Sequence, residues 1–195
     1  QDPNIIMVGE IRDGETASIA VNAALTRHLL FSTLHSNDAA TAIPRLLEMG
    51  VEPFLLASTL DVVIAQRLLR RICPQCRYST AISLPEAQKL FTGARHFFTK
   101  GPVRLYKGKG CEACGGTGYR GRVAICELLV VTPEIEQLII DHASSTDISV
   151  LARKQGMHIL FEDGFEKMKA GMTSLEELMR VAAPPESPLK SHGKK

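Results

Sequence analysis

Ile5-Ile6-Met7-Val8-Gly9-Glu10-Ile11-Arg12-Asp13 is the stretch that decides the fold. Four consecutive apolar residues that stop at Gly-Glu read as a short strand buried on both faces, the kind found inside a parallel sheet. Asp13-Gly14-Glu15 then opens an Ala-rich segment through Thr26. In it Ile19, Ala20, Ala23 and Ala24 recur at helical spacing, with acidic residues in the first turn. Residues 28–34 form a second short apolar run, closed by His35-Ser36-Asn37-Asp38. Ser36 or Asn37 is expected to cap a helix over 38–49, which Pro44 should kink and Gly50 should end. A further helical pattern covers 53–72. Strand, helix, strand, helix in this order predicts an α/β fold with a parallel sheet.

The composition changes at Cys73. From there to about residue 122 the chain is rich in Cys, Gly and basic residues, and such a segment needs a staple to hold a core. Residues 123–131 read as a strand. Short helices follow over 133–143, 147–155, 158–170 and 173–181, with Ser174 and Glu177 matching a capping box. Residues 184–195 hold three Pro with Ser, Lys and Gly, and read as a disordered basic tail. The expected division is 1–72, 73–126 and 127–183, followed by that tail.

The chain has 195 residues and a net charge of +2, with 45% hydrophobic and 23% charged residues, ordinary values for a globular protein. Much of that +2 lies in the last ten residues, so the body reads as near neutral. This argues against a general nucleic-acid binder, as does an aromatic fraction of 5%. No apolar run reaches the roughly 18–20 residues that span a bilayer. The opening Gln-Asp-Pro, without an initiator Met, reads as a fragment or processed chain. Four of five Cys stand in C-x-x-C pairs without a secretion signal, which points to a metal and a cytoplasmic setting.

Three motifs carry chemistry. Ligands of open α/β sheets bind beyond the carboxyl ends of the strands, so Glu10 sits at the active edge. A carboxylate there orients water and supports a magnesium shell in phosphoryl transfer. Gly9 replaces the acid that often precedes it, and any buried strand can end in an acid. Ser32-Thr33-Leu34-His35-Ser36-Asn37-Asp38 ends the second run and should bring His35 to the same edge, where a polar cluster can sense a γ-phosphate. Cys73-Pro-Gln-Cys76 and Cys111-Glu-Ala-Cys114 give the strongest signal. Two such turns close a tetrahedral Cys₄ site with no open position, hence a structural metal. Residues 115–122 read as tight turns beside it, Cys126 as a core residue, and Arg67, Arg70 and Arg71 as a basic helix end.

The segments DPNIIMVGEIRDGETA, HLLFSTLHSNDA, RLLEMGVEPFLLAS, AQRLLRRICPQC, CEACGGTGYRGR and FEDGFEKMKAGMTSLEELMRV occur in one order. Together they resemble the C-terminal part of the type II secretion and type IV pilus assembly ATPases, the GspE/PilB group, over about residues 1–182. The four cysteines set it apart from the pilus-retraction ATPases of the same superfamily. The resemblance implies the second half of a RecA-like P-loop ATPase core, a small zinc subdomain and a C-terminal helical subdomain. It implies a homo-hexamer peripheral to the bacterial inner membrane, using ATP and Mg²⁺. An inner-membrane platform protein and a cytoplasmic docking protein would be its partners, and pilins or pseudopilins its cargo. Glu10 matches the Walker B glutamate, with Gly9, Arg12 and Asp13 around it. His35 matches the His-box histidine, with Thr33, Ser36 and Asp38 as support. Cys73, Cys76, Cys111 and Cys114 match the zinc tetracysteine site.

The sequence departs from that family in lacking G-x-x-x-x-G-K-[ST], the acidic box that supplies arginines, and the N-terminal docking domain. Asn4 stands where the family often has Asp, and Pro44 and the Lys-rich tail are not family features. The fragment alone is therefore expected to be inactive. Two readings from other classes stand beside it. One is a zinc-stapled, chaperone-like binding module, since residues 111–118 match C-x-x-C-x-G-x-G. The other is a nucleic-acid-binding zinc ribbon.

Overall fold

A computed structural model describes residues 3–26 and 28–185. In chain order the elements are β1 (Ile5–Met7), α1 (Gly14–Leu25), β2 (Leu29–Phe31), α2 (Ala39–Glu48), α3 (Pro53–Thr59), β3 (Val62–Ile72), β4 (Arg77–Ile82) and α4 (Leu84–Leu90). Then come β5 (Val103–Gly108), β6 (Tyr119–Val130), α5 (Pro133–Ile140), α6 (Ser145–Lys154), α7 (Leu160–Lys169) and α8 (Leu175–Val181), with short 3₁₀ turns at Thr92–Phe97 and Glu112–Cys114. The strands form three two-stranded sheets, β1–β2, β3–β6 and β4–β5. The fold is α/β, as expected.

The chain divides into two compact units, one of residues 1–65 and 127–158, the other of 66–126 and 159–195. This differs from the division expected at 72, 126 and 183. Residues 127–158 join the first strands, and 159–185 join the cysteine-bearing segment. The unit boundaries at 65/66 and 126/127 fall inside β3 and β6, which pair with each other.

In the first unit β1 and β2 run parallel with Ile5 opposite Leu29 and Met7 opposite Phe31. Asp13 caps α1 by accepting the Thr16 N–H. The cap of α2 is Asp38, not Ser36 or Asn37. Its Oδ1 accepts the Thr41 N–H at 2.8 Å, and its own N–H donates to Thr41 Oγ1. α2 runs through Pro44. Ile43, Leu56, Leu129, Ile135, Ile139 and Ile148 fill the core. β1 and β2 are covered on one face only. Ile5, Met7, Leu29 and Phe31 are exposed, because among the described residues nothing packs on that side.

The second unit is built on Leu69, Ile125, Phe161, Met168, Leu175 and Leu178. Its cysteine-bearing segment is not a run of bare turns. It supplies β4, β5 and α4, and buries Ala87, Ala94, Phe98 and Leu105 against α7 and α8. The expected helix over 53–72 is also corrected. α3 stops at Thr59, and Val62–Ile72 is a strand. Arg67, Arg70 and Arg71 therefore stand on β3, not on a helix end. β6 starts at Tyr119, four residues before expectation. The α8 capping box is half made. Ser174 Oγ accepts the Glu177 N–H, but the Glu177 carboxylate turns to Arg70 and Arg180. The tail expected at 184–195 lies outside the described residues from 186 onward.

Candidate functional site

Parallel pairing of β1 and β2 puts their carboxyl ends side by side. The pairing continues beyond the strands. The Val8 N–H donates to the Phe31 carbonyl, the Ile11 N–H to the Thr33 carbonyl, and the Thr33 hydroxyl to the Gly9 carbonyl at 2.7 Å. Two loops are thereby held in one register, and the side chains that leave them meet. His35 Nε2 lies 2.6 Å from Glu10 Oε1, and Arg12 Nε donates to Glu10 Oε2. Both carboxylate oxygens are occupied. Glu10 keeps 23% of its side-chain exposure, whereas His35 keeps 81%. The group is thus a half-sheltered carboxylate with an imidazole that solvent or a ligand can reach.

The other expected site residues act one step further out. The Asp13 carboxyl is held below its ordinary range by the Thr16 N–H, and its work is to start α1. Ser36 Oγ donates to the Asp38 carbonyl, and Asp38 starts α2. These three set the path of the loops and do not reach Glu10. Sequence reasoning missed Glu127. It is 5% exposed, and its Oε1 accepts the Ala39 N–H at 2.6 Å, anchoring the chain just after the His35 loop. A cleft of about 320 Å³ opens beside that loop, lined by Ser36, Asn37, Thr41, Arg45, Glu48 and Ser145.

In the second unit Cys73, Cys76, Cys111 and Cys114 converge, with all four Sγ atoms within 4.8 Å of one another. The separations Cys73–Cys111, Cys76–Cys114 and Cys111–Cys114 are 3.8, 3.9 and 3.7 Å. A tetrahedron with bonds of about 2.3 Å has edges of about 3.8 Å, so the spacing fits one ion, while a disulfide needs about 2.05 Å. Partial burial pushes Cys111 up to about 11. Cys114 feels the same burial, yet the N–H groups of Cys111 and Gly118 that point at its sulfur bring it down to about 6. The donor set is all sulfur and could hold a metal ion. Cys126 is partly buried, and its N–H donates to Asp163.

The family described as "Type II/IV secretion system protein" matches residues 1–180. The chain belongs to that family. Among curated members of this secretion family, the type IV pilus assembly ATPase PilB of Thermus thermophilus is 54% identical over 179 residues, 92% of this chain and 20% of that protein. The type II secretion system ATPase E of Vibrio cholerae is 47% identical over 181 residues, 93% of this chain and 35% of that protein. The chain thus spans a fifth to about a third of the length of these relatives. Among solved structures, the pilus retraction motor PilT with bound ADP superposes with a TM-score of 0.62 at 25% identity, covering 95% of this chain and 41% of that one. The Legionella pneumophila ATPase DotB shares the fold, with a TM-score of 0.57.

Proposed function

We propose that this chain is the C-terminal part, bearing the residues of hydrolysis, of a motor ATPase that assembles pilins or pseudopilins in a type IV pilus or type II secretion machine. The observation that carries the reading is the contact of Glu10 with His35 at the carboxyl edge of two parallel strands. In the motor the second half of a RecA-like core closes around the nucleotide, and six subunits form a ring on the cytoplasmic side of the inner membrane. The ring engages a platform protein in the membrane and a docking protein beneath it. Bound MgATP supplies the γ-phosphoryl group and the cation that neutralises its charge. Glu10 orients the attacking water and takes its proton. Arg12 and His35 hold the carboxylate until then, and His35 is exposed enough to meet a phosphate oxygen. Cys73, Cys76, Cys111 and Cys114 would hold one zinc ion, which fixes the turns of the second unit and leaves no position for catalysis.

The test is Glu10→Gln in the full-length motor. Nucleotide binding should persist while hydrolysis falls by about a hundredfold or more. Hydrolysis at the parental rate would overturn the assignment. The support is of a different kind for the two halves of the reading: relatives that are ATPases of these systems, and the site geometry for the roles of individual residues.

A further inference from the structure

Glu127 interrupts a row of core residues. The inward positions of β6 are Ile125, Glu127 and Leu129, with exposures of 0%, 5% and 0%. Among the described residues of the first unit, Glu127 is the one buried acid. An aliphatic side chain would complete the row without the cost of desolvating a carboxylate. What the carboxylate adds is an acceptor: Oε1 takes the Ala39 N–H at 2.6 Å. Ala39 is the first residue of α2, so its N–H belongs to those that a helix leaves unpaired, and the positive end of the helix favours an anion there. Ala39 and Ala40 are buried and small, which leaves room for the approach from β6.

The loop that precedes α2 carries His35. With 81% of its side chain exposed, that imidazole is not fixed by packing. Its place beside Glu10 depends on the backbone path on either side. Before it, the Thr33 hydroxyl donates to the Gly9 carbonyl, the Thr33 carbonyl accepts from the Ile11 N–H, and Leu34 bridges to Ile11. After it, the bonds of Ser36 with Asp38 and of Asp38 with Thr41 are local and travel with the loop. Glu127 takes hold of the far end of the loop from a strand 88 residues further along the chain.

We infer that Glu127 is a positioning residue for hydrolysis: by accepting the Ala39 N–H it fixes the far end of the loop and keeps the His35 imidazole at Glu10. The inference rests on the role proposed above for the Glu10–His35 pair. Glu127 touches neither nucleotide nor water in this role. It acts through His35, on the geometry of the reacting groups and not on nucleotide affinity. A displacement of about 1 Å at such groups costs up to about a hundredfold in rate. Gln in its place keeps an acceptor oxygen on the same stem, whereas Ala keeps none.

The test compares Glu127→Ala, Glu127→Gln, His35→Ala and the double variant E127A/H35A in the full-length motor. Glu127→Ala should lower kcat about tenfold to a hundredfold while KM for ATP stays within about twofold. Glu127→Gln should recover most of the lost rate. The double variant should hydrolyse ATP no more slowly than His35→Ala, because one residue acts through the other. Amide hydrogen exchange over residues 35–41 should quicken in Glu127→Ala and stay slow in Glu127→Gln. If Glu127→Ala does not fold, Ala39→Pro deletes the same bond from the donor side. Proline suits the first helical position, and the extended Asp38 suits the position before it. Ala39→Pro should then show the same loss in kcat and the same lack of additivity with His35→Ala. Parental hydrolysis by a folded Glu127→Ala or Ala39→Pro, a loss that adds to that of His35→Ala, a change confined to KM, or a Gln variant as slow as the Ala variant would each overturn the inference. If His35→Ala itself hydrolyses at the parental rate, the reading of the Glu10–His35 pair fails, and this inference falls with it.

Discussion

Glu177 is a buried carboxylate with two guanidinium partners. Its side chain is closed off from solvent, and it accepts from Arg70 Nη2 at 2.7 Å, from the Arg70 N–H at 2.9 Å and from Arg180 Nη2 at 2.8 Å. Burial alone would push its pKa up; the bonds from Arg180 and Arg70 outweigh that and bring it down to about 2. A depressed folded pKa adds stability that is present above the ordinary carboxylate range and is lost as pH falls toward the folded value. Thermal melts should therefore show the second unit losing stability between about pH 5 and 2. Glu177→Gln should cost about 3 kcal/mol at neutral pH and flatten that acid limb; an unchanged limb would count against the linkage. At this scale Glu10 and His35 were legible in the sequence, since each follows an apolar run and parallel strands end together. Glu127 was not, because it sits inside a strand-forming run and its partner, the Ala39 N–H, lies 88 residues away.

At the scale of elements, tertiary pairing overrides local propensity in residues 62–72. Residues 65–71, Ala-Gln-Arg-Leu-Leu-Arg-Arg, are good helix formers, yet β6 needs a partner and the β-branched start Val62-Val63-Ile64 supplies one. The Val131 N–H donates to the Asp61 carbonyl, and the Cys73 N–H to the Gly118 carbonyl, so both ends of the pairing are fixed by tertiary contacts that local propensity does not contain. The second of these contacts sits beside a close backbone approach. A Cβ on Gly108 would stand 2.1 Å from the Gly118 carbonyl oxygen, and Gly118 itself has φ +76. Gly108→Ala should push the end of β5 away from the Gly118 turn, whose N–H points at Cys114, and lower zinc retention in metal analysis. The parent should hold one zinc per chain under reducing conditions. Cys111→Ser should lose it and melt earlier, as binding energy that folded the turns is withdrawn. A metal-free parent with full stability would remove the structural role.

At the scale of the molecule, the phosphate cradle is the missing part. The sequence has no G-x-x-x-x-G-K-[ST] loop, whose N–H groups and Lys carry most phosphate contacts. The purified 195-residue chain should release no phosphate from ATP above background; sustained turnover would refute this. The parallel strand pair and the convergence of the four cysteines could be read from pattern. The make-up of the two units could not, because it depends on which distant segments fold together, 66–126 with 159–195. The four cysteines have one more consequence. Since Cys73 and Cys76 meet Cys111 and Cys114, residues 77–110 leave the chain and rejoin it at nearly the same point. That stretch begins and ends at the clasp while packing on α7 and α8 between, and its exposed Thr99 and Lys100, outside helix and strand, are a natural splice point. A reporter peptide grafted there would leave both ends of the clasp, and the path from β3 to β6, in place.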